Sequence, residues 1–108
     1  MDENNCLGVL GIGNILAEYG KNDEAKEIFK LLSTSVPDSL IGQHAMLNQA
    51  HLLMAEESYE FSVNLYQTCL EKQPESLEIA MFLSKAFYKK KDYDSCKKLT
   101  IRLISKYP

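Results

Sequence analysis

The sequence predicts an all-α fold, six helices arranged as three helix-turn-helix units in a right-handed α-α superhelix. Three observations predict it. Pro37, Pro74 and Pro108 stand 37 and then 34 residues apart, the interval of a repeating pair of short helices. Between the prolines, small and large side chains recur in phase. Apolar residues return at helical spacing, as in Ile79, Leu83 and Phe87, or Phe61, Leu65, Tyr66 and Leu70, and no stretch alternates as a strand would.

The elements follow in order. A first helix over 6–19 carries Val9, Ile12, Gly13 and Leu16, and Gly20 supplies the positive φ that a helix C-terminus favours. Asn22 or Asp23 is then the expected N-cap of a second helix over 23–34, which carries Ala25 and Phe29. Pro37 stops it, because proline has no amide proton to extend the ladder. The third helix, 39–55, repeats the first with Met46, Gln49, Ala50 and Leu53, with Gln49 where the other units place an aliphatic residue. The three extra residues of this interval are expected near 40–42, lengthening the turn or the helix start. The fourth helix, 59–72, carries Ser62 and Tyr66 before Pro74. The fifth, 76–90, carries Ala80, Leu83, Ser84 and Phe87; the sixth, 93–106, carries Cys96 and Thr100 before Pro108. Gly13, Ala50 and Ser84 on the first helix of each unit, and Ala25, Ser62 and Cys96 on the second, are the small slots. Paired helices can approach closely only where neither carries bulk.

This large–large–small–large spacing, followed by small–x3–large and proline, resembles the tetratricopeptide repeat (TPR) with its 34-residue period. The resemblance covers 6–108. It implies one TPR domain over 1–108, with repeats of about 6–39, 43–76 and 77–108, forming a fragment of a longer solenoid. By the family's slot geometry the first helices line a concave groove. Its partner-binding wall would hold Asn14, Ala17 and Glu18, then Leu47, Asn48, His51 and Met54, then Met81, Phe82, Lys85 and Tyr88. That mixed wall suits an extended or helical peptide. A well-known use of the fold clamps a terminal carboxylate with basic and asparagine side chains. Here Asn14 and Asn48 match the asparagine slots, but Leu10, Glu78 and Phe82 occupy the basic ones, so a carboxylate gains no charge-assisted bonds.

Composition narrows the function further. With 12 Lys+Arg against 15 Asp+Glu the net charge is −3, which argues against a whole-domain footprint for nucleic acid or an anionic membrane. The charge is polarised along the chain, with −4 over 1–40, −3 over 41–74 and +4 over 75–108. No apolar run approaches the ~20 residues of a membrane span. Cys6, Cys69 and Cys96 are odd in number and lack metal or redox spacing, which favours a reducing, intracellular compartment. Gly8, Gly11 and Gly13 fit neither a dinucleotide fingerprint nor a P-loop. His44 and His51 share a helix face without further ligands and read as solvated groove-lining groups. No catalytic triad motif is present, and Lys85, Lys89–Lys91, Lys97 and Lys98 read as an exposed basic face. No cofactor, metal or enzymatic activity is expected.

Beyond the generic repeat, GIGNILAEYGKNDEAKEIF (11–29), LNQAHLLMAEESYEFSVNLYQTCLEK (47–72) and FLSKAFYKKKDYDSCKK (82–98) are similar to a central segment of one TPR family. That family is the scaffold subunits of the RNA polymerase II-associated factor (Paf) complex. The resemblance implies a nuclear protein–protein interaction scaffold acting in transcription elongation and co-transcriptional histone modification. Its partners would be subunits of a multiprotein complex, with no membrane and no direct nucleic-acid contact. The other reading is a stand-alone TPR peptide-binding adaptor or co-chaperone without the basic clamp. If the chain is an excerpt of the longer scaffold, its uncapped terminal helices are expected to favour self-association.

Overall fold

A computed structural model describes residues 2–106. Pro108, expected to stop the last helix, lies outside the described residues. Six consecutive α-helices are present: α1 (Glu3–Glu18), α2 (Asn22–Ser35), α3 (Leu40–Ala55), α4 (Tyr59–Lys72), α5 (Leu77–Lys89) and α6 (Tyr93–Lys106). The described residues contain no strand. None of the helices is long and apolar enough to cross a membrane. The chain divides into two compact units, one running up to Leu52 and the other from Leu53 onward.

The same reversal closes α1, α3 and α5. Gly20, Glu57 and Lys91 all adopt positive φ, at 77°, 64° and 70°. Their N–H groups donate to Ala17, Met54 and Tyr88 carbonyls at 3.1, 3.0 and 3.0 Å. The next amides, from Lys21, Ser58 and Asp92, reach back to Leu16, Leu53 and Phe87 at 2.8, 2.8 and 2.9 Å. This is a Schellman turn, which satisfies the last carbonyls of a helix and reverses the chain. It recurs at the 37- and 34-residue intervals of the prolines. Only Gly20 announces it in sequence.

A second type of turn surrounds the prolines. After Pro37 and Pro74, Ser39 and Ser76 cap the next helix, their Oγ atoms accepting from Gly42 N–H at 2.9 Å and Ile79 N–H at 3.2 Å. Four residues separate the helices in both cases, 36–39 and 73–76. The three extra residues therefore lie in the helix: α3 has 16 residues where α5 has 13. Gly42 is required at that start, because a Cβ there would run into the Val36 carbonyl.

Helix starts differ from expectation at α1, by three residues, and at α2, α3 and α5, by one residue each. α1 begins at Glu3 because the Asp2 carboxylate accepts the Asn5 N–H at 2.8 Å. α2 is capped by neither Asn22 nor Asp23. Its N-cap is Lys21, without a side-chain bond, because the preceding Schellman turn delivers the chain already curled, with Ala25 N–H on the Lys21 carbonyl at 2.9 Å. Asp23 and Glu24 sit in the first turn instead, where the helix dipole favours acids.

In the first unit Cys6 and Leu10 of α1, Ala25, Phe29 and Leu32 of α2, and Ala45 of α3 form one buried cluster, extended by Val9, Leu16, Ala17, Val36, Ile41 and Leu52. α1 packs against α2, and Gly13 lies at that contact: a Cβ there would meet Phe29 Cε1 at 2.7 Å and Ile28 Cγ2 at 3.0 Å. In the second unit α4 packs on α5 and α5 on α6, with Val63, Tyr66, Cys69, Ile79, Leu83 and Leu99 all buried. The Tyr66 and Phe82 rings stack with centroids 5.9 Å apart. Ala25, Ala50 and Ser62 are fully buried small slots, and the Ser62 hydroxyl donates to the Tyr59 carbonyl at 2.9 Å. Ser84 is half-buried and its buried Oγ has no hydrogen-bond partner. Phe61, expected on the apolar stripe of α4, is instead largely exposed.

Candidate protein-binding site

The helix that buries Cys6, Leu10 and Gly13 must turn Asn14 and Glu18 outward, since they lie about 100° and 140° round the α1 barrel from Gly13. Both are exposed. On α3, Ala45 and Ala50 are buried, and Leu47, Asn48 and His51 are half-buried. The two helices meet at this face, where Asn48 Nδ2 donates to Asn14 Oδ1 at 2.9 Å. A primary amide bonded once keeps further donor and acceptor capacity, so this pair offers hydrogen bonds to a passing peptide backbone. Ala17 packs against the core cluster.

In the second unit Met54 is half-buried at the end of α3. On α5, Met81, Lys85 and Tyr88 recur at spacings of four and three, and all three are exposed. The Tyr88 ring packs edge-on against Tyr93 of α6, centroids 5.5 Å apart, which limits its rotation. A thioether, an ammonium and a held phenol on one helix face can grip an apolar side chain and an acidic neighbour. Phe82 is half-buried and committed to its stack on Tyr66. Leu10, at a slot where a carboxylate clamp needs a base, is buried in the first unit's core, while Glu78 is exposed.

Burial pushes the Tyr66 hydroxyl upward and the Cys69 thiol up to about 11, so both stay protonated. Asp92 is held below the usual carboxylate range by Ser95, whose Oγ donates to Oδ2 at 2.8 Å and whose N–H donates to Oδ1 at 3.2 Å; it caps α6. Among the described residues no three His, Cys, Asp or Glu side chains gather as metal ligands. His44 is exposed and His51 half-buried.

On the side of α5 opposite Met81, Lys85 and Tyr88 lies a feature that is not legible in the sequence. A groove of about 650 Å³ runs between α4 and α6, with Leu70, Leu83, Phe87 and Leu99 among its lining and Lys98 and Arg102 beside them. Periodicity assigns residues to faces but does not measure the gap between two helices, and no residue pattern marks this one.

No family model matches the chain. It is 30% identical to the Protein CTR9 homolog of Arabidopsis thaliana over 108 residues, an alignment covering 96% of this chain and 10% of that protein. The chain thus spans about a tenth of the length of that curated relative. The similarity is partial, and the helical turns and small slots are those of a TPR-like interaction scaffold.

Proposed function

We propose that the chain is a peptide-binding TPR module of the adaptor type, working without a basic carboxylate clamp. The observation that carries this is the face of α5. Met81, Lys85 and Tyr88 stand exposed together on a helix whose opposite face, Ile79, Ala80, Leu83, Ala86 and Phe87, is buried. Large apolar groups aligned on one exposed helix face are the usual mark of a recognition surface. In the first unit, Asn14, Glu18, Leu47, Asn48 and His51 are proposed as a separate, more polar surface for a peptide, and in the second unit Met54 is proposed as a further contact.

The length of the similar Arabidopsis protein favours a second reading, in which the chain is one segment of a long scaffold. The stretches 11–29, 47–72 and 82–98 point that scaffold toward the Paf complex, transcription elongation and the nucleus. Affinity purification of the intact protein with mass spectrometry tests both. Wild type should retain a defined set of polypeptides that Met81→Glu with Tyr88→Glu loses. RNA polymerase-associated subunits in that set favour the scaffold reading; short acidic or apolar peptide donors favour the adaptor. An unchanged set in the double variant refutes the α5 face as the binding surface.

A further inference from the structure

We infer that the groove between α4 and α6 is a second docking site, and that it takes a helical segment of another protein whose apolar ridge runs beside an acidic flank. The inference uses neither the α5 face nor the Asn14–Asn48 pair, so it stands or falls apart from the function proposed above.

The groove lies wholly within the second unit. α4 and α6 each pack on α5 or against it, and the gap between them is floored by Leu83 and Phe87 of α5, with Leu70 of α4 and Leu99 of α6 at its sides. Leu83, Phe87 and Leu99 are buried and Leu70 is half-buried, so an occupant meets hydrocarbon at the bottom. One end is closed, because Lys106 Nζ reaches Glu75 Oε2 at 3.0 Å and the Pro74 carbonyl at 3.5 Å, tying α6 to the turn after α4. The α6 lining runs from Ser95 to Lys106, about 16 Å, or three turns of a partner helix. These are not the residues on which the repeat seats a neighbouring helix. Tyr66, which stacks on Phe82 of α5, corresponds to Thr100 of α6, and Thr100 lies outside the lining.

The charge is carried by the groove's own walls. On α6, Lys98 and Arg102 stand four residues apart, about 6 Å along the helix axis, and both are exposed. The α4 wall carries Gln67 and Glu71 instead. Among the described residues Arg102 and Glu71 form no ion pair with each other or with another side chain, so both heads stay open to an occupant. Asp92 is held down first by Ser95, whose hydroxyl and amide both bond its carboxylate, and only last by Lys98, which keeps its ammonium out of a direct pair. Nor does the repeat require these cations. Lys98 and Arg102 correspond to Asn64 and Thr68 of α4 and to Glu27 and Leu31 of α2, so the second helix of a unit packs without positive charge there. Cations one turn apart beside an apolar floor match carboxylates at i and i+4 on a docked helix. The apolar ridge then supplies affinity, and the two walls of unlike charge set its orientation.

Two synthetic helical peptides serve as probes. Both carry the same leucine ridge; one has glutamates along one flank and lysines along the other, and the second has lysines along both. Titration of the isotope-labelled chain by NMR reads where each binds. The glutamate-flanked peptide should shift Leu70, Leu99 and Arg102 more than Met81, Lys85 and Tyr88, and the all-lysine peptide should bind about tenfold more weakly, the worth of two exposed ion pairs. Lys98→Glu with Arg102→Glu should reverse that preference, an outcome that lost folding cannot mimic, and far-UV circular dichroism checks that helicity is kept. The proposal is overturned by equal affinity for the two peptides, by larger shifts on the α5 face, by no groove shift with either, or by a variant that keeps the wild-type preference. Groove shifts that appear on concentrating the chain without peptide also overturn it, since a second copy would then be the occupant.

Discussion

Replacing Gly13 by alanine measures the close approach of α1 to α2. The added Cβ would lie 2.7 Å from Phe29 Cε1, 3.0 Å from Ile28 Cγ2 and 3.1 Å from Phe29 Cδ1. Phe29 is 1% exposed and belongs to the first unit's core, so the ring has nowhere to retreat. Overpacking of this kind costs about 1–3 kcal/mol. Against it, alanine in place of a mid-helix glycine contributes roughly 1 kcal/mol of helix propensity. The internal reference is Gly8→Ala in the same helix, where the Cβ enters open space and only the propensity gain remains. Subtracting one variant from the other removes propensity and leaves the steric cost, about 1–3 kcal/mol. Urea unfolding followed by far-UV circular dichroism, at concentrations low enough to keep the chain monomeric, reads that difference. Gly13→Ala should fall between neutral and about 2 kcal/mol less stable than wild type, with Gly8→Ala above it. Equal stabilities for the two variants would refute a tight crossing at Gly13.

The remaining predictions concern the turns, an unsatisfied hydroxyl and pH. Glu57 and Lys91 hold positive φ without being glycine, so Glu57→Gly and Lys91→Gly should each stabilise by up to about 1 kcal/mol in urea, whereas Gly20→Ala should destabilise. Ser84 Oγ is buried without a partner, and Ser84→Ala should raise the melting temperature, recovering on the order of 1 kcal/mol of desolvation. Tyr66 and Cys69 keep their protons in the fold where the unfolded chain gives them up. Their contribution is therefore fully present below the ordinary thiol and phenol values of 9.0 and 10.0 and is lost as pH rises beyond them toward the raised folded values, about 11 for Cys69, which a urea series at rising pH would show as falling midpoints. Asp92 acts at the other limb: its lowered carboxyl favours the folded chain above the ordinary value of 3.8 and ceases to do so as pH falls below it, an effect Asp92→Asn should remove.

Much of the helical arrangement is legible in the residues because burial and periodicity are strong, local signals. The bounds of α4 coincide with the expected 59–72, and α6 starts at the expected residue 93, stretches in which the apolar stripe is clear. The small slots at Gly13, Ala25, Ala50 and Ser62 are buried as their spacing implies. What escapes is geometry set by backbone rather than side chain. The Schellman turns at Glu57 and Lys91 carry no glycine, because the paired hydrogen bonds hold a non-glycine residue in a conformation it does not favour. The start of α2 escapes for the same reason, since a preceding turn, not a capping side chain, sets it. Phe61 escapes because a helix stripe wider than its partner leaves its edge in water. At the binding site, Met81, Lys85 and Tyr88 are exposed together, whereas Phe82, next in sequence to Met81, is drawn into packing by Tyr66. The groove between α4 and α6 depends on a separation that no single-helix pattern encodes.

The central claim is that the exposed faces of the first helices contact another polypeptide. Site-specific photocrosslinking tests it most directly, with a benzophenone amino acid placed in the intact protein at Met81, at Asn14, or at the exposed α2 residue Glu24 as a control. Crosslinks to a defined partner sequence from positions 81 and 14, and none from 24, are the predicted result. Capture of that partner from position 24 alone, with 81 and 14 silent, would contradict it.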